Sequence, residues 1–283
     1  MARIADLLAG GRTVSYEFFP PKSEAAAKAL DDALEDLTAL GPSFVSVTYG
    51  ALGSTRAPTR DLVIRIDGER PYPAMPHLTC VGQTRDDLLV LLEQYRDAGI
   101  QNVLALAGDP PPDGSAPGGD FTYATELIEL ARSVSDFSIG VAAFPELHPR
   151  SPDRDTDRRL LADKLGRADF AITQFFFEAE HYFRLRDELE ALGCETPVIP
   201  GVMPFVSVPG TRRMAAVNGC HIPAELEARM DAVDGDPEAV RRLGAEVASS
   251  LCQELLDHGV PGLHIYAMNR STSIREIYTA LGW

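Results

Sequence analysis

The sequence predicts a single (βα)8 barrel, the TIM-barrel form of the α/β class, running through residues 1–283 with extra helices before its last strand. Eight short runs rich in Val, Ile, Phe and Thr recur along the chain. Longer segments of helical period separate them, as consecutive βα units around a parallel sheet require. At 283 residues and 45% hydrophobic, the chain is long enough to bury one large core.

The runs are Thr13–Phe19, Phe44–Tyr49, Ala74–Cys80, Asn102–Gly108, Ser138–Phe144, Phe170–Phe176, Val198–Pro204 and Gly262–Met268. Ahead of the first, Ile4, Leu7 and Leu8 interrupted by Asp6 give a short amphipathic helix rather than a signal segment. Apolar residues at three-to-four spacing predict helices over Ser23–Leu40 and Thr84–Ala98, with Ser23 and Thr84 as N-caps before acidic first turns. Pro223–His258 is too long for one return, and the breaker Asp234-Gly235-Asp236-Pro237 divides it into a short and a long helix. The Pro- and Gly-dense stretch Asp109–Asp120 reads as a loop over the barrel mouth. An open doubly wound sheet is the competing topology, but no G-x-G-x-x-G follows the first strand.

A net charge of −16 disfavours nucleic acid and anionic membranes, so an anionic small ligand needs a locally placed Arg or Lys. Cys80, Cys194, Cys220 and Cys252 form no C-x-x-C, and the six histidines form no H-E-x-x-H. A reduced cytoplasm and the absence of a metal site are the expectations. No stretch is long and apolar enough to span a bilayer.

Barrel enzymes place their chemistry at the C-terminal strand ends, which directs attention to the polar residues there. Period-two alternation in SYEFFPP puts Ser15, Glu17 and Phe19 on one face and Tyr16 and Phe18 on the other. Two readings stay open for Glu17: a structural ion pair with Arg or Lys, or a carboxylic acid whose pKa burial among Tyr16, Phe18 and Phe19 raises. Asp109 is either a turn residue before Pro110 or a polar group facing substrate. Thr48 reads as a satisfied core hydroxyl or a contact at the mouth. Gln174, among Thr173 and three phenylalanines, needs its amide bonded, and reading a heterocycle is one solution. His77 and His148, at or just beyond strand ends, each read as a packed histidine, with a ligand or a base as the alternative. Arg270, just after the last strand, is a cation able to hold a carboxylate.

Together SYEFFPPK, SFVSVTYGA, PHLTC, LALAGDPP, VAAFPELHP, AITQFFF, VIPGVMP and HIYAMNR resemble, in order, the signature segments of the methylenetetrahydrofolate reductase family. That resemblance covers nearly the whole chain and implies a (βα)8 barrel passing a hydride from NADH or NADPH to the one-carbon bridge of a reduced folate. It makes Glu17 the counterpart of the catalytic acid and Asp109 that of the aspartate near the pterin. Gln174 and Thr48 correspond to pterin and nicotinamide contacts, and Tyr266 and Arg270 to positions along the aminobenzoate-glutamate tail.

Most members of the family hold FAD as a hydride relay, and His77, His148, Asp157 and Lys164 match cofactor-binding positions. Other flavin positions differ. The family's L-R-G-D is Leu106-Ala107-Gly108-Asp109 here, and its D-x-x-N-L-x-R-K is Asp157 to Lys164 with Leu160 and Asp163 in place of asparagine and arginine. An aspartate beside a pyrophosphate is repulsive. The resemblance is therefore to the flavin-independent kind, in which NADH and folate meet directly. The alternatives are an FAD-dependent member, a related barrel oxidoreductase using a deazaflavin or acting on proline, and a folate-binding barrel without catalysis. Oligomeric state stays open.

Overall fold

The computed structural model describes residues 2–49, 56–109 and 118–283. Its strands are β1 Thr13–Phe18, β2 Phe44–Val47, β3 Ala74–Thr79, β4 Asn102–Leu106, β5 Ser138–Ala143, β6 Phe170–Thr173, β7 Val198–Ile199, β8 Gly201–Val202 and β9 Gly262–Tyr266. They form one sheet in the order β7-β6-β5-β4-β3-β2-β1-β9-β8, and every pairing is parallel.

Only Pro200 separates β7 from β8, so the nine segments make eight staves. Proline has no N–H to give a ladder. Its carbonyl still accepts from the His264 N–H at 3.0 Å. Because β7 pairs with β6 while β8 pairs with β9, this broken stave joins the two ends of the sheet into a barrel. Each strand begins at the residue its hydrophobic run predicts, but the ends come early, most at β6, which stops at Thr173 rather than Phe176. Beyond Thr173 the apolar run continues into a loop, where Phe175 and Phe176 are buried.

The helices are α1 Ile4–Gly10, α2 Glu24–Thr38, α3 Arg56–Glu69, α4 Arg85–Asp97, α5 Ala124–Val134, α6 Arg154–Leu165, α7 Ala179–Ala191, α8 Val208–Asn218, α9 Ala224–Val233, α10 Pro237–Asp257 and α11 Thr272–Leu281. Ser23 and Thr84 cap α2 and α4 as expected, accepting from the N–H of Ala26 and of Asp87 at 3.2 Å each. The breaker before α10 does the same work: Asp236 accepts from Glu238 and Ala239, both at 3.1 Å, and Pro237 opens the first turn. No helix among the described residues is long and apolar enough to cross a membrane. Of the expected mouth loop, residues 110–117 lie outside the described residues.

Strand alternation sorts side chains into two cores. Tyr16, Phe18, Val45, Val47, Leu78, Val103 and Val141 point outward against the helices. Phe44, Met75, Leu104, Phe170, Ile172 and Ile199 fill the barrel with Ile4 of α1. Gly140 makes room for that filling, since a Cβ there would lie 2.6 Å from the Phe170 ring. At the N-terminal end of the staves, Asn102 Oδ1 accepts from the Ile4 N–H at 2.7 Å and Ser138 Oγ from that of Ala5 at 3.0 Å. These bonds satisfy first-turn donors of α1 that no helical partner reaches. The bottom is thus plugged by apolar packing, and polar side chains gather at the C-terminal end. Ile4→Ala should cost about 2–4 kcal/mol by leaving a cavity in this plug. Urea unfolding checks this; a loss under about 1 kcal/mol would mean α1 is not part of the core.

Candidate active site

Glu17 is the acidic centre of the polar end. The sheet register sets Ser15 beside His264 and Glu17 beside Ser46 and Tyr266. The Glu17 carboxylate stands 3.3 Å from His77 Nε2 and 3.4 Å from His264 Nε2. His264 is fully buried, and its ring is held on three sides. Ser15 Oγ lies 2.8 Å from Nδ1, Ser46 Oγ 3.4 Å from Nε2, and Phe44 stacks on one face.

This arrangement overturns the expectation of a Glu17 with raised pKa. Burial does push it up, but the nearby His77 and the bond from His264 outweigh burial and lower the carboxyl from its ordinary 4.5 to about 2. Tyr16 and Phe18, expected to supply the apolar surroundings, face the outer core. Glu17 is therefore ionised at neutral pH, with two imidazoles in contact with its carboxylate. Its carboxylate contributes stability above the ordinary value of 4.5, and that contribution disappears as the pH falls towards about 2.

Around this centre, Gln174 donates through Nε2 to Asn218 Oδ1 at 2.9 Å, and its Oε1 accepts from the Phe175 N–H at 3.2 Å. The amide is thus oriented by Asn218 on α8. The Tyr266 hydroxyl donates to the Thr173 carbonyl at 2.7 Å, and burial followed by the Glu17 charge keeps its pKa well above the ordinary tyrosine value. Thr48 is half-buried; its N–H donates to the Phe18 carbonyl, and its own carbonyl accepts from the Thr59 hydroxyl. Asp109 and Arg270 are exposed. Arg270 follows two left-handed residues, Met268 (φ 51°) and Asn269 (φ 55°). Asn269 fixes that turn with paired bonds to the backbone of Phe19 at 2.8 and 2.9 Å.

His148, Asp157 and Lys164 gather where β5 meets α6, whereas His77 belongs with Glu17. Asp157 accepts from Ser151 Oγ at 2.6 Å, from the His148 N–H at 3.3 Å and from Arg158. Lys164 Nζ donates to the Ala142 carbonyl at 2.7 Å, and burial, partly offset by Asp157, lowers its pKa to about 8. The His148 imidazole packs edge-on to Phe144, with its pKa lowered by burial and by Arg150 and Lys164.

The sequence of this chain matches the profile of one family, methylenetetrahydrofolate reductase, over residues 2–282. It is 36% identical over 274 residues to the 5,10-methylenetetrahydrofolate reductase of Escherichia coli (strain K12), covering 96% of this chain and 92% of that protein. The chain belongs to the methylenetetrahydrofolate reductase family. An Arabidopsis thaliana protein named methylenetetrahydrofolate reductase (NADH) 1 is 34% identical over 288 residues, spanning 96% of this chain and 49% of the plant protein. Among solved structures, a Clostridium thermocellum protein described as binding two copies of 5-methyl-5,6,7,8-tetrahydrofolic acid shares the fold, with a TM-score of 0.65 at 16% identity over 98% of this chain and 96% of that one.

Within this methylenetetrahydrofolate reductase homologue, sequence reasoning passed over His264, Ser15, Ser46 and Asn218. A signal existed for His264: it is a polar residue in the apolar strand GLHIY, two positions before Tyr266 and hence on the same face. Arg158 has a role that sequence could not assign. Its buried guanidinium bonds Asp157, Glu188 at 2.7 Å, and the carbonyls of Phe144, Pro145 and Glu146 at 3.1, 2.7 and 2.8 Å. Arg158→Met should therefore cost about 3–5 kcal/mol by breaking the buried pair with Asp157 and removing the guanidinium donor of the Phe144 and Pro145 carbonyls. The exposed Arg159→Ala should stay within about 0.5 kcal/mol. Denaturant unfolding of both variants checks the contrast, and equal effects would contradict it.

Proposed function

We propose that this chain reduces 5,10-methylenetetrahydrofolate to 5-methyltetrahydrofolate with a hydride taken directly from NADH or NADPH, without a flavin relay. The single observation that carries the reductase reading is the Glu17 carboxylate at the barrel mouth, in contact with His77 and His264. Family membership supplies the substrate class, and the plant relatives named for NADH favour that donor.

The reaction consumes one hydride and one proton. The bridging carbon is bonded to two nitrogens and accepts hydride poorly. A proton delivered to the aryl-side nitrogen lets that C–N bond break, its electron pair staying on nitrogen and the carbon becoming an iminium. The hydride of the nicotinamide then adds to this carbon, giving the methyl group and the oxidised dinucleotide. Glu17 is the proton donor. His77 and His264, both in contact with its carboxylate, are the groups through which that proton can reach it. When folate covers the mouth and excludes water, a charged carboxylate becomes costly, and its neutral form is favoured. Ser15 holds the His264 ring for this exchange, while Gln174 with Asn218 reads the pterin edge. Thr48 contacts the nicotinamide, Asp109 stands near the pterin, and Tyr266 and Arg270 follow the folate tail.

The flavin-free reading rests on a poor fit at the positions where the family holds FAD. Ala107 offers no guanidinium, and Leu160 is 62% exposed with no polar group. Asp163 puts a negative charge where the family carries arginine and is ion-paired with Arg167 at 3.4 Å. Arg158 is committed to its own loop, and Lys164 to a carbonyl. Protein purified without added cofactor should be colourless and should oxidise NADH only when methylenetetrahydrofolate is present. Stoichiometric flavin that turnover requires would refute the direct transfer.

Glu17→Gln should lower kcat by about 10²–10⁴-fold while folate binding and circular dichroism stay near wild type. Near-normal turnover in Glu17→Gln would move the acid elsewhere. Arg270→Ala should raise the folate KM more than it lowers kcat, since the tail lies far from the reacting carbon. An unchanged KM in folded protein would remove Arg270 from the site.

A further inference from the structure

We propose that Glu178, His181 and His221, completed by Glu146, bind a divalent transition-metal ion of the zinc class. Three separate segments bring them together. Glu146 follows β5, Glu178 precedes the first turn of α7 and His181 lies within it, and His221 sits on the link between α8 and α9. Glu178 is the N-cap of α7 and His181 its third helical residue, so the two side chains meet at the start of that helix.

The distances fit a coordination shell. His221 Nδ1 is 3.2 Å and His181 Nε2 3.4 Å from the same Glu178 oxygen, and His181 Nε2 is 3.9 Å from Glu146 Oε2. Zinc bonds of about 2.0–2.1 Å in a tetrahedron separate neighbouring donors by about 3.3 Å. Glu178, His181 and His221 each offer one donor atom within 4.8 Å of the others. Little movement is needed to close around an ion.

A second observation points the same way. His181 Nε2 is buried and has no hydrogen-bond partner among the described residues, although it faces both carboxylates. An unbonded buried nitrogen costs free energy, and a metal ion supplies its missing partner. Two carboxylates and two neutral imidazoles carry a charge of −2, which a divalent cation cancels. Mixed imidazole and carboxylate donors suit zinc and its neighbours rather than magnesium or calcium.

Supporting contacts are already in place. The His221 N–H donates to both oxygens of Glu146, at 2.9 and 3.1 Å. Arg154 and Arg158 donate to the Glu146 carbonyl at 2.9 and 2.8 Å, fixing the loop that carries it. Such outer contacts orient metal ligands. The site would clamp the α8–α9 link to the loops after β5 and β6, three residues beyond the Asn218 that holds Gln174. It is independent of the reductase reading.

The test is calorimetric titration of chelator-treated protein with zinc chloride, in parallel with magnesium chloride. We expect one zinc ion per chain and no magnesium binding. His221 is exposed, so His221→Ala leaves packing intact; it should weaken zinc at least about tenfold, and His181→Asn should do the same. Absence of zinc binding, or equally tight binding by both variants with their circular dichroism unchanged, would overturn the site.

Discussion

A carboxylate inside a barrel must be paired, and the pairing of Glu17 organises this molecule. Its partners come from staves on either side. His77 is supplied by β3 and His264 by β9, while β1 contributes the acid itself. His77 and His264 lie far apart in sequence, and the sheet order β3-β2-β1-β9 brings both to Glu17. Closure in turn depends on the stave broken at Pro200, whose halves pair with β6 and with β9. The pairing of Glu17 and the order of the staves are therefore one constraint.

The barrel interior is graded along its axis. Apolar packing of Ile4, Phe44, Met75 and Phe170 closes the lower end, and polar groups occupy the upper. Phe44 touches both regimes, filling the plug and stacking on His264. A rigid floor beneath the imidazole limits how its ring can turn, which keeps Nε2 directed at Glu17. Precision at the site thus comes from core packing below it as much as from hydrogen bonds around it.

Much of this was legible in the sequence, and what escaped it has physical causes. Hydrophobic runs gave the start of every stave. They overshot the ends, because apolar loop residues such as Phe175 and Phe176 continue the pattern after pairing stops. Glu17 stood out as a charge in an apolar strand, yet the direction of its pKa shift did not follow from its neighbours in sequence. Tyr16 and Phe18 point away from it, and the groups that decide its charge are brought in by β3 and β9. Arg158 shows the same limit, since a loop that consumes a guanidinium cannot be seen in a row of charged residues. Glu178 and His181 stand three apart in sequence, but nothing there points to His221, which a different segment brings beside them.

The central claim is that Glu17 is ionised in the free protein and gains its proton when folate closes the mouth. Difference infrared spectroscopy of wild type against Glu17→Gln, without and with methylenetetrahydrofolate and in the absence of NADH, reads that carboxyl directly. The account predicts an ionised carboxylate band in the free protein that is replaced by a protonated carboxyl band on binding. A carboxyl already protonated before folate is added, or one that stays ionised with folate bound, would contradict it.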